Sequence, residues 1–147
     1  MRALLRLPLA AAALVLGVAG CDALGTSGND VELRTDRSSY TQGRYGVTVE
    51  LRLRNNSDRA IGYNLCGAVL ERREGERWRA VEDEGPVCTA ILNGLIAGSE
   101  ARGQRTLLAD AVYDGEYRFV VSVEDLDERG RRRTLKSTPF RVEWPED

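Results

Sequence analysis

The segment VTVELRLRN alternates without a break. Val47, Val49, Leu51 and Leu53 are interleaved with Thr48, Glu50, Arg52 and Arg54. Period two with one apolar and one charged face predicts a half-buried antiparallel strand, closed by the turn formers of NNSD. EYRFVVSVED repeats the pattern, with Tyr117, Phe119, Val121 and Val123 on one face and Gly115 just ahead. AVLERREGERWRAV predicts a hairpin turning at Glu74-Gly75. On its second arm Trp78 and Ala80 share a face, which makes Trp78 a candidate core anchor. DLDERGRRRTLKSTPFRVEW predicts another hairpin around Gly130. Phe140, Val142 and Trp144 alternate in its closing strand, and Pro139 suits a strand start.

Weaker signals fill the gaps. Val31 and Leu33 mark a short first strand, and Tyr40 is expected under the following turn. Ile61, Tyr63 and Leu65 suggest another strand. LIAGSEARGQRTLLAD reads as a glycine turn and then a strand around residues 105–109. CTAILNGL fits a strand or one helical turn, and a run this short does not discriminate. Seven or eight short strands with turns between them, and no long helical period, predict an all-β sandwich of about 115 residues.

The first 21 residues differ from this pattern. MRALLRLPLAAAALVLGVAGC has Arg2 and Arg6, an apolar stretch from Leu7 to Val18, then small residues before Cys21. This is the layout of a secretory signal peptide, and the apolar run is marginal for a membrane span. Val18, Ala19, Gly20 and Cys21 resemble the lipobox of bacterial lipoproteins. That resemblance implies a diacylglycerol on Cys21 and cleavage just before it. The other reading is an ordinary secreted protein cut nearby, with Cys21 free or paired. The expected organisation is a signal helix over residues 1–20, the lipidated Cys21 and a polar tether over 21–30, and the sandwich over 31–147. The domain would then stand in the cell envelope, held to a membrane by lipid, in the periplasm or outside the cell.

Composition narrows the chemistry. The net charge of -2 provides no electrostatic basis for nucleic-acid binding. Histidine is absent, which removes the commonest general base and metal ligand. No catalytic, cofactor or metal residues are expected, and the chain is read as a non-enzyme. If the leader reading holds, Cys66 and Cys88 face an oxidising compartment, where pairing is expected. A bridge would close a loop of roughly 22 residues and contribute about 3 kcal/mol. Free thiols are the alternative; a zinc site would want more ligands than these two cysteines.

The body also resembles the immunoglobulin-like domains of small bacterial lipoproteins. Tyr40 and Gly43 match their Tyr-x-x-Gly turn, and Asn55 and Ser57 their Asn-x-Ser. Leu70, Glu71, Gly75 and Trp78 match their hairpin, LIAGSEAR their Pro-Gly-Glu turn with Ala97 for proline, and Gly115, Tyr117 and Arg118 their Gly-x-Tyr-Arg strand. This implies an immunoglobulin-like antiparallel β-sandwich. A tyrosine two residues after the glycine is similar to a tyrosine corner, so the Tyr117 hydroxyl is expected on nearby backbone.

Several features are candidate sites. Arg131, Arg132 and Arg133 fit a solvated hairpin arm neutralised by Glu124, Asp125, Asp127 and Glu128, or a contact for anionic lipid or an acidic partner. Those carboxylates lack the spacing of a calcium loop, and the acidic run EDEG over residues 82–85 reads as solvated. Trp78, Trp144, Tyr63 and Tyr113 could form an exposed aromatic patch or simply pack, with Trp144 the one expected to be partly exposed. The expected function is a membrane-anchored module that binds an envelope or extracellular protein or serves a structural role. The alternative is a protease inhibitor of β-sandwich type acting through the loop near residues 85–90, in DEGPVCTA.

Overall fold

The computed structural model describes residues 30–82, 86–127 and 131–145. The leader, Cys21 and the tether, and the expected turn residues Glu128 and Gly130, lie outside them, as do three residues of the 82–85 acidic run.

Among the described residues, pairing defines eleven strands: β1 (Val31–Thr35), β2 (Ser39–Thr41), β3 (Val47–Asn55), β4 (Ile61–Tyr63), β5 (Val69–Glu74), β6 (Arg77–Ala80), β7 (Asn93–Leu95), β8 (Glu100–Leu107), β9 (Gly115–Asp125), β10 (Arg132–Lys136) and β11 (Phe140–Glu143). The sequence pattern suggests seven or eight. The expected strand at Ile61 and Tyr63 is present as β4 but stops short of Leu65, and two further elements, β2 and β7, have only three residues each. Such pieces are too short to display a period and are defined by their neighbours. Part of the ambiguous CTAILNGL run becomes β7.

The strands form two sheets. The smaller is β1-β3-β8, with β3 paired on both sides. The larger is organised around the eleven-residue β9. One edge of β9 pairs with β11 and then β10; the other pairs with β5 and then β4. β6 and β7 extend the sheet beyond β5 and β4, and β2 joins β11 in parallel. The break between β4 and β5 leaves residues 64–68 as an irregular segment beside the middle of β9.

Alternation places one face of each strand inward. Val31, Leu33, Val49, Leu51, Leu53 and Leu107 from the smaller sheet meet Ile61, Leu70, Phe119, Val123, Phe140 and Val142 from the larger in one core. Phe140 sits at the aromatic centre, stacked with Phe119 and Tyr117 and met edge-on by Tyr40. Tyr117 forms the expected corner: its hydroxyl donates to the Tyr113 carbonyl at 2.9 Å and accepts the Tyr113 amide at 2.8 Å. Asn55 is fully buried, and its side-chain amide donates to the Arg59 and Leu95 carbonyls while its oxygen accepts from Ser57. This is the immunoglobulin-like sandwich, all-β throughout the described residues.

Some local expectations shift. The β5–β6 hairpin pairs Glu74 with Arg77, so its central residues are Gly75 and Glu76. Gly75 takes φ +63°, as the first position of a type II′ turn requires. Register puts Trp78 on the outer face of the larger sheet, so it is not a core anchor. The Arg118 guanidinium covers its ring at 4.2 Å, and Arg118 also pairs with Glu71 at 2.6 Å. β8 begins at Glu100, directly after the Gly98 turn, rather than near Arg105.

Candidate functional site

Residues 86–92 are irregular in backbone but are braced at three points. Cys88 is joined to Cys66. The Asn64 side-chain amide donates to the Thr89 carbonyl at 2.7 Å. The chain then passes directly into β7, whose Leu95 is buried. The segment receiving this brace is itself held from below. Arg105, buried in the inner face of β8, donates from Nη1 to the carbonyls of Cys66 at 2.8 Å and Ala68 at 2.6 Å, with its guanidinium against the Phe119 ring. An arginine at an inward strand position carries no signal in the sequence pattern, which places it only by parity with Ala101 and Leu107.

The braced loop presents apolar side chains to solvent. Val87 is completely exposed, Ile91 is 68% exposed and Leu92 is 43% exposed. Beneath it lies an open cleft of about 370 Å³ on the outer face of the larger sheet. Ala90 and Leu92 form one wall, Val69 and Val120 the apolar floor, and Asn64 and Arg132 the polar rim. Leu92 reaches the sheet because β4 offers no side chain there. A Cβ on Gly62 would lie 3.2 Å from both Leu92 Cδ1 and Leu126 Cδ2.

Arg132 is tied to Glu124 at 3.3 Å and Arg133 to Asp125 at 2.7 Å. This matches the neutralised hairpin arm and fixes the rim charges. The four candidate aromatics do not assemble. Trp78 lies under Arg118 and Tyr63 is half-buried beside the core. Tyr113 and Trp144 are each 52% exposed, and no ring contact joins any of the four. On the smaller sheet, arginines 34, 52 and 102 line up across the strands, each neutralised by a glutamate two residues away on its own strand. The cleft and its loop therefore have the character of a binding site: a concave surface where apolar side chains sit beside placed polar groups, Asn64, Ser122, Glu124 and Arg132.

No protein-family model and no curated protein sequence matches the chain. Its shape is similar to several solved structures. One is an ASH / PapD-like domain of human CEP192, at 20% identity over 80% of this chain and 87% of that one, with a TM-score of 0.45. Another is the periplasmic chaperone SfaE, at 14% identity over 80% of this chain and 58% of that one, with a TM-score of 0.47. A third is the archaellum periplasmic stator protein FlaG from Sulfolobus acidocaldarius, at 17% identity over 72% of this chain and 98% of that one, with a TM-score of 0.37.

Proposed function

We propose that the chain is a non-enzymatic, immunoglobulin-like lipoprotein of the bacterial cell envelope. Lipid on Cys21 anchors it, and it binds a protein partner through the braced loop and the cleft beneath. The observation that carries this reading is the concentration of exposed aliphatic side chains on a covalently held loop. Val87, Ile91 and Leu92 lie in water at a place where the disulfide and Asn64 have already removed much of the ordering cost of binding. The lipobox pattern and the Cys66–Cys88 pair support the same compartment.

The test is cross-linking of the full acylated chain in its own membranes. Val87→Asp and Val69→Asp each put a charge into the apolar surface and are expected to reduce recovery of a defined partner at least tenfold. Trp144→Ala, far from the cleft, should leave recovery unchanged. Equal recovery from all variants would remove the loop and cleft as the binding surface.

A second reading has its own support. Val87 stands fully exposed between Pro86 and the disulfide-bonded Cys88, the form of a rigid loop offered to a protease cleft. Saturable inhibition of a protease, abolished by Val87→Asp, would favour this reading over an envelope partner.

A further inference from the structure

The chain enters the sandwich at one pole, and that pole carries an aliphatic corner beside polar and charged side chains. The Asp30 carbonyl accepts the Asn56 amide at 2.5 Å, Asn55 bonds through its backbone to Gly98 and Ser99, and the Leu126 amide donates to the Ala60 carbonyl. These bonds gather Asp30, residues 55–60, residues 95–99 and Leu126 at the same end. Ile96 is 69% exposed there and Leu126 51%. Leu126 lies over the paired glycines of β4 and β7. A Cβ on Gly62 would meet it at 3.2 Å and one on Gly94 at 3.9 Å. Ile96 and Leu126 thus make an aliphatic corner directly under the point of attachment.

We infer that this corner rests in the lipid interface of the membrane that holds the protein. The inference depends on the anchoring of Cys21 proposed above. From Cys21 to Asp30 is nine residues, a reach of about 30 Å when fully stretched. The eleven residues of β9, which run from pole to pole, span about 35 Å. A tether shorter than the domain cannot span it, so the domain cannot invert to bring the far pole, with Trp144 and Tyr113, to the bilayer while the entry pole faces away. The chemistry of the contact follows from the charges. Asp58 is almost fully exposed and pairs with Arg59 at 3.9 Å, and Asp127 is exposed at this end, so this end offers no net positive patch to draw in anionic lipid. The contact is apolar insertion beside a lipid anchor, and it is insensitive to salt.

The full acylated chain is reconstituted into phosphatidylcholine vesicles with either ordinary or brominated acyl chains. In the wild type, Trp78 on the outer face and Trp144 at the far pole report no bromine quenching. Ile96→Trp adds an emission component that brominated lipid quenches at least twofold, unchanged between low and high salt; Leu126→Trp behaves alike. Emission from both variants that ignores the bromine overturns the inference. So does shielding of these positions that appears only when native membrane proteins are present, which would make the corner a protein dock. Intact mass separates the two readings. A chain without acyl mass removes the anchor, and this inference with it. An acylated chain without quenching removes this inference alone.

Discussion

Arg105 holds Cys66 from the opposite sheet: its Nη1 donates to the Cys66 carbonyl at 2.8 Å across the core of the sandwich. The same atom donates to Ala68 at 2.6 Å. β4 ends at Tyr63 and β5 starts at Val69, so the carbonyls between them lack part of the ladder that would otherwise satisfy them. One buried guanidinium replaces it, and the disulfide transmits the placement to the loop above the cleft.

Replacing that donor tests the arrangement. Arg105→Met keeps most of the side-chain volume and leaves two inward carbonyls without their partner. It is expected to destabilise the domain by about 2 kcal/mol, measured by urea unfolding, and to speed amide exchange in residues 64–68. A stability change under about 0.5 kcal/mol would mean that desolvating the guanidinium cancels what its bonds contribute, and the bracing role would fail.

Tyr117→Phe removes a hydroxyl that both donates to and accepts from the backbone of Tyr113, while its ring still stacks on Phe140. The expected loss is about 1–3 kcal/mol. Thermal unfolding should show it without a change in the near-ultraviolet signal of the aromatic cluster. A variant as stable as the parent would reduce the corner to a packing contact.

Asp36 and Tyr40 predict opposite pH limits. Burial raises the Asp36 carboxyl, but the hydrogen bonds from the Tyr40 hydroxyl at 2.6 Å and the Glu50 amide at 3.0 Å outweigh it, leaving the pKa below 3.8. Its contribution is present above pH 3.8 and is lost as the pH falls through the lowered value. Tyr40 is pushed up from 10.0 to about 12 by burial and by its bond to Asp36. Its contribution is complete below pH 10.0 and disappears as the pH rises toward about 12. Asp36→Asn should flatten the acid side of the stability profile, and Tyr40→Phe the alkaline side. Profiles that match the parent on both sides would contradict this assignment.

The strand faces of the long elements were legible because burial of one face imposes period two on the sequence, as in β3 and β9. The Tyr117 corner was legible through the resemblance to immunoglobulin-like domains, because such a corner needs a tyrosine at a fixed short offset from its glycine; the burial of Asn55 was not. Trp78 was misplaced because hydrophobicity alone does not distinguish a ring buried in the core from one covered by an arginine on the outer face. Its face depends on the hairpin register, which one residue of turn placement reverses.

The sequence by itself determined the alternating strands, the turn chemistry and the two cysteines in the body of the chain, because each is a local constraint of backbone geometry or composition. Only the tertiary structure decided that Arg105 lies beneath Cys66, that Leu92 and Leu126 settle on bare glycines, and that the apolar corner shares a pole with the incoming chain. Those relationships join residues dozens of positions apart. They are set by which strands pair and how the sheets face each other, and no local pattern along the chain encodes that distance.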